Sequence, residues 1–489
     1  MKFIMEPITA KSVETAAGRV QRTLSVRWAL ASLSLSMLLA SLGTSIANVG
    51  LPTLAQAFDV SFQQVQWVVL AYLLAITTLI VSVGRLGDLM GRRRLLVAGI
   101  FLFTAASALC GVAPTLWLLI AARAAQGLGA AVMMALTLAF VAEAVPKARI
   151  GSAMGLLGTM TAIGTALGPT LGGVLISSFG WQAIFFVNLP LGVLALVLAQ
   201  RYLPADRRVP KGQRTSFDSV GTLLLALTLA AYALAMTVGR GSFGPLNMAL
   251  LLAAVFGVGL FVLNEARTAS PLIQLAMFRD PALSAGFAMS TLVTTVVMAT
   301  LVVGPFYLSG ALALDAASVG LVMSAGPVAA AMAGVPAGRI VDRFGTHRTS
   351  IVGLIAMAAG AAVLPMLPTS LGVPGYVAPL AVITVGYALF QAANNTTVMT
   401  NIRPDQRGVI SGLLNLSRNL GLITGASVMG AVFAFGSATT DIMAARPEAV
   451  ADGMRITFGV ATALIFAALA IAAASHALSR RVVPSNVKQ

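Results

Sequence analysis

Fourteen apolar runs, separated by short charged segments, divide this sequence. A membrane-crossing helix needs about 20 mostly apolar residues. By that rule the spans lie near 28–50, 65–84, 95–113, 116–141, 151–176, 182–200, 218–239 and 246–264, then 282–309, 316–337, 349–367, 376–400, 408–434 and 456–477. Within a bilayer every backbone N–H and C=O must be paired inside the protein, so each run is predicted to be an α-helix. The fold class is an all-α integral membrane protein. Charge content agrees, at 9% of residues against roughly 25% in soluble domains.

The basic residues orient the chain. With the N-terminus inside, nearly all of the 31 Lys and Arg fall on cytoplasmic segments. Arg240, Arg446 and Arg455 fall outside, while Arg123 and Arg418 lie within spans. This is the positive-inside distribution, and removing one span would invert every later loop. Both termini are therefore expected in the cytoplasm. The net charge of +16 is spread over short connectors rather than gathered on a soluble face, which removes a nucleic-acid partner. Cys110 lies in an apolar run and only His347 and His476 accompany it, so neither an internal disulfide nor a Cys/His metal cluster is available. The first apolar run is too long for a signal-peptide core, and the residues before it read as an uncleaved tail.

A motif repeats across the two halves. Gly84-Arg85-x-x-Asp88-x-x-Gly91-x-x-Arg94 returns as Gly338-Arg339-x-x-Asp342-x-x-Gly345-x-x-Arg348. Gly155, Gly164 and Gly168 have counterparts in Gly412, Gly421 and Gly425. Such echoes mark two related bundles. The expected plan is a tail (1–27), a six-helix bundle (28–200), a linker (201–217), an inserted two-helix hairpin (218–264), a second linker (265–281), a second six-helix bundle (282–477) and a tail (478–489).

Polar residues inside this apolar sequence are the candidates for function. Asp88 stands beside Arg85 and Arg92, where a carboxylate can pair with arginine or cap a helix N-terminus; Gly84, Gly87 and Gly91 are expected to permit a tight turn. Gly164, Gly168 and Gly172 share one helix face that lets another helix approach closely, and Pro169 removes a backbone hydrogen bond there and bends the helix. Arg123 costs about 2.5–3.5 kcal/mol to place in a membrane helix, so an interior polar site is expected around it. Gln391, Asn394 and Asn395 form a stripe at helical spacing, and Asn415 neighbours Arg418 on the next span. With Asn48, Gln126, Phe306 and Tyr307, these are expected to line a central cavity, although an aromatic taken singly is more simply read as core or lipid-facing.

The repeated motif, Leu119-x-x-x-Arg123-x-x-Gln126-Gly127 in the fourth span, and Gly164-x-x-x-Gly168-Pro169-x-x-Gly172-Gly173 in the fifth resemble the conserved motifs of the major facilitator superfamily. Fourteen spans, with LGTSIANVGLP at 42–52 and GWQAIFFVNLPLG at 180–192, are similar to the drug:proton antiporters of the EmrB/QacA type. The resemblance implies export of amphiphilic compounds by alternating access, from a bacterial inner membrane, with a proton gradient as energy source and no cofactor. It implies a conformational latch at Asp88, Arg92 and Asp342, a proton-transfer role for Arg123, and a helix pivot at Gly164, Gly168, Pro169 and Gly172. It brings in a monomeric transport unit and, for EmrB-like members, a periplasmic adaptor and outer-membrane channel. One departure matters: many relatives carry an acid in the first span where this chain has Gly43. No acid lies deep in any span, so proton coupling must use a membrane-edge acid such as Glu143 or Asp88, or be absent. Buried cations without buried acids favour neutral, zwitterionic or anionic solutes. An intramembrane enzyme would need a buried catalytic or metal constellation, and a receptor a sizeable soluble domain; neither is found.

Overall fold

The computed structural model describes residues 9–60, 62–206, 218–237, 244–268, 270–314, 316–400, 402–437 and 446–482. Fourteen helices in it are long and apolar enough to cross a membrane. In the first bundle they are α1 (Thr9–Ala57), α2 (Trp67–Met90), α3 (Arg92–Gly111), α4 (Leu116–Ala144), α5 (Ile150–Phe179) and α6 (Asn188–Tyr202, led in by Ala183–Phe186). The hairpin is α7 (Ser219–Thr237) and α8 (Pro245–Arg267). The second bundle is α9 (Pro281–Gly310), α10 (Ala325–Phe344, after Ala316–Met323), α11 (Thr346–Val363), α12 (Gly372–Thr400), α13 (Arg407–Gly436) and α14 (Pro447–Val482). Helix α1 begins at Thr9, so much of the N-terminal tail continues the first span.

Two seams join the bundles: α2 crosses α13, and α5 crosses α10. Small residues make both crossings possible. A methyl group on Gly84 would collide with the Gly408 carbonyl, and one on Gly155 with the Gly334 carbonyl. The motif glycines therefore divide their work. Gly84 and Gly87 are helical and buried in packing, whereas the turn falls on Gly91 alone, at φ +105°, and in the repeat on Gly345, at φ +84°. Both turn glycines adopt a left-handed conformation that strains any other residue.

The hairpin lies across one seam only. Helix α7 packs against both α2 and α13, whereas neither hairpin helix packs comparably on α5 or α10 among the described residues. On α13, the Thr424 hydroxyl meets the Tyr232 hydroxyl, and the Ser427 hydroxyl donates to the Met236 carbonyl. Asn247 holds the hairpin together by donating to the Ala235 carbonyl at 2.7 Å. Helix α8 turns Leu252, Val255 and Phe256 outward, the apolar face a lipid-contacting helix requires.

Candidate functional site

At the arginine-rich end, hereafter the basic end, each bundle clasps a helix of the other. The Asp88 carboxylate, at the end of α2, accepts hydrogen bonds from the Gly408 amide (3.0 Å) and the Val409 amide (3.2 Å) in the first turn of α13. A carboxylate here meets unpaired N–H groups and the positive end of the helix dipole. Arg92 backs it up at 2.8 Å, donates to Glu143 at 2.7 Å, and reaches the Pro404 carbonyl of the opposite bundle. By pseudo-symmetry Asp342 accepts from the Gly151 and Ser152 amides, both at 2.9 Å, in the first turn of α5, and from the Ser152 hydroxyl. The copies differ where Arg92 corresponds to Thr346, so among the described residues no cation pairs with Asp342. Asp342 is also exposed, whereas the Asp88 side chain is 1% exposed.

Above these clasps further bonds close the seams. Ser411 donates to the Ala135 carbonyl, and Asn415 donates to Met134 at 3.3 Å. Thr159 reaches Ala331 at 3.3 Å. The molecule is thus shut at its basic end. Beyond this closure lies a cavity of about 230 Å³ lined by α5, α9, α10, α12 and α13. Its wall is mostly apolar (Met154, Val297, Leu301, Met323, Leu380), with Thr161, Thr165, Thr384, Tyr387 and Gln391 interspersed. A narrower extension toward the basic end adds Asn394, Asn395 and Asn415. Arg418 borders both spaces as their sole charged residue, and neither has an Asp or Glu lining it among the described residues. Its buried Nε–H has no acceptor among the described residues.

The predicted cavity set separates into two groups. Gln391, Asn394, Asn395, Asn415 and Arg418 come together on the wall. Asn394 is partly committed, donating to the Gly286 carbonyl at 3.1 Å. Asn48, Gln126, Phe306 and Tyr307 lie elsewhere. Asn48 is exposed on α1, its amide turned back to Thr44. Phe306 stacks on Phe433 and Tyr307 on Tyr376, each at 5.9 Å, inside the second bundle. Gln126 is fully buried and donates to the Ser107 hydroxyl at 2.7 Å.

Gln126 belongs with Arg123, which is also 0% exposed and is held inside the first bundle. The guanidinium donates to the Val68 carbonyl (2.9 Å), the Gly43 carbonyl (3.1 Å) and Gln126 Oε1 (2.6 Å). It lies over the Tyr72 ring, 4.2 Å from the centroid, a cation–π contact. No carboxylate touches it among the described residues; carbonyl oxygens and a ring face solvate the charge instead. Arg123 therefore ties α1, α2 and α4 together and does not line the cavity.

The expected pivot glycines pack α5 on α1. A Cβ on Gly164 would fall 2.6 Å from the Leu38 carbonyl oxygen, one on Gly168 would strike the Ser45 hydroxyl, and one on Gly172 would lie 3.1 Å from Ile46. Ser45 donates to the Gly164 carbonyl at 3.0 Å across this contact. Gly421 and Gly425 repeat the arrangement for α13 on α9. Pro169 falls within α5; its side chain lies outside the described residues.

Thr384 and Tyr387 on the wall were not anticipated. They precede Gln391 by seven and four positions, so following the polar stripe upstream at helical spacing finds them. Thr161 and Thr165 have only their own four-residue spacing as a signal.

Two pseudo-symmetric helical bundles, clasped at one end below a solute-sized cavity, define a membrane transporter. The chain belongs to the Major Facilitator Superfamily, whose pattern matches residues 33–426. It is 32% identical to the multidrug resistance protein Stp of Mycobacterium tuberculosis, over 83% of this chain and 75% of that one. It is 30% identical to the riboflavin transporter RibZ of Clostridioides difficile, over 82% of this chain and 86% of the relative. In structure it resembles the human organic anion transporter MFSD10, with a TM-score of 0.64 over 91% of this chain and 99% of the other; at 15% identity the likeness concerns the fold alone.

Proposed function

We propose that this protein exports small amphiphilic compounds by alternating access, driven by proton entry, with its basic end and both termini in the cytoplasm of a bacterium. The observation carrying this reading is the cavity wall: apolar surface with hydroxyl and amide groups, and Arg418 as sole charge. Apolar walls bind by area and a few polar groups orient the solute. A lone cation with no carboxylate favours neutral, zwitterionic or anionic solutes over quaternary ammonium compounds. The clasped seams correspond to the state closed to the cytoplasm, and export requires Asp88 and Asp342 to release their helices. The transport unit is a monomer. Similarity to a protein named for multidrug resistance supports broad specificity.

A second reading, a dedicated exporter of one metabolite, draws support from the relative named a riboflavin transporter. Both are tested by transport in everted vesicles with cationic, neutral and anionic dyes, with and without a pH gradient. Export of several neutral and anionic dyes, lost when the gradient collapses, fits the first reading. Uptake of a single chemotype selects the second, and rates unchanged without the gradient remove proton coupling. R418Q is expected to raise KM for anionic dyes while sparing neutral ones.

A further inference from the structure

The base of the hairpin holds a pair of acids that neither the clasps nor the cavity uses. Asp218 precedes α7 and is 9% exposed; Glu265, in the last turn of α8, is 4% exposed. Both residues are therefore buried, as the Asp88 side chain is at the clasp. Asp218 is fully engaged: Oδ1 accepts from the Gly221 amide at 2.7 Å and Oδ2 from the Asn264 side chain at 3.1 Å. Glu265 Oε2 accepts from the Ile273 amide at 3.0 Å, in the segment leading to α9. Glu265 Oε1 is buried without a partner. It converges with Asp218 Oδ2 on the point where a Cβ of Gly221 would stand, so glycine leaves the room in which the two oxygens meet.

Two carboxylate oxygens facing each other out of water repel, and neither can donate while both are ionised. Among the described residues no cation relieves them. Asp218 is the ionisable group facing Glu265, and none from α2, α13 or the turn after α8 bears on it among the described residues. Arg267 and Arg279 are exposed and make no ion pair there. One proton resolves the geometry: on Glu265 Oε1 it donates to Asp218 Oδ2, and every oxygen of the pair is then satisfied.

We propose that Asp218 and Glu265 form a proton-binding site that fastens the hairpin to the segment entering α9. The site lies outside the cavity and stands whether or not export is proton-driven. A carboxyl that stays protonated in the fold but ionises in the unfolded chain adds stability at low pH, lost as pH rises toward the point where the pair gives up its proton.

The test uses the full-length protein in lipid nanodiscs. Infrared spectra at neutral pH are expected to show a protonated-carboxyl band that disappears in E265Q and in D218N. The melting temperature of the wild type should fall as pH rises. That of E265Q should lose this dependence, because Gln accepts from Ile273 and donates to Asp218 without a titrating proton. Spectra identical in wild type and both variants, with unchanged pH profiles, overturn the proposal. So does a wild-type melting temperature that rises specifically with sodium, calcium or magnesium chloride and no longer does so in E265Q: a small cation would then hold the pair together.

Discussion

One exchange between the repeats, Arg92 against Thr346, makes the two clasps unequal. Hydrogen bonds to charged groups contribute about 1.5–3 kcal/mol each, and the buried Asp88 keeps its full value while the exposed Asp342 is screened by solvent. D88N is therefore expected to lower dye efflux at least about tenfold, roughly the effect of 1.4 kcal/mol, with membrane insertion intact. D342N should cost less. Equal losses in vesicle transport would argue against the arginine as the source of the difference. Arg123 offers a second contrast. Its guanidinium satisfies two carbonyls and Gln126 inside one bundle, and leaving a buried acceptor unsatisfied costs about 1–3 kcal/mol. R123A should thus reduce the melting temperature clearly, whereas R418Q, at the cavity wall, should change solute preference with little effect on melting.

At the scale of helices, contact between α1 and α5 depends on three glycines spaced one turn apart. Leucine at Gly164 or Gly168 has no room beside Leu38 and Ser45, and overpacking costs about 1–3 kcal/mol. G164L and G168L are expected to reach the membrane yet fail to transport; normal efflux would show that α1 and α5 need not approach this closely. The sequence revealed these helices well, because lipid demands long apolar runs and charged connectors interrupt them. It revealed much less about which way each helix faces. Lipid tails and protein interior are equally apolar, so the apolar run 301–308 at the end of α9 does not say where Phe306 and Tyr307 point. Helix α12 does carry one, and that stripe is why Gln391, Asn394 and Asn395 were legible. Arg123 was legible as buried, but carbonyl acceptors on neighbouring helices leave no mark in sequence.

For the whole molecule, the proposed alternating access requires the seams at the basic end to part. The Thr159 hydroxyl on α5 donates to the Ala331 backbone carbonyl on α10, so the two positions are neighbours across the seam. With Cys110, the sole cysteine, replaced by alanine, the pair T159C/A331C is expected to cross-link under oxidation and stop efflux, with recovery on reduction. Persistent efflux in the cross-linked protein would mean that this seam stays shut throughout the cycle. The same division into bundles gives the hairpin a consequence for solutes already dissolved in lipid. One flank of the cleft is walled off by α7 and α8, while the main cavity is lined by α5 and α10 on the other and by no residue of the hairpin. A hydrophobic molecule diffusing within the leaflets therefore meets two unlike sides, only one of which the hairpin covers.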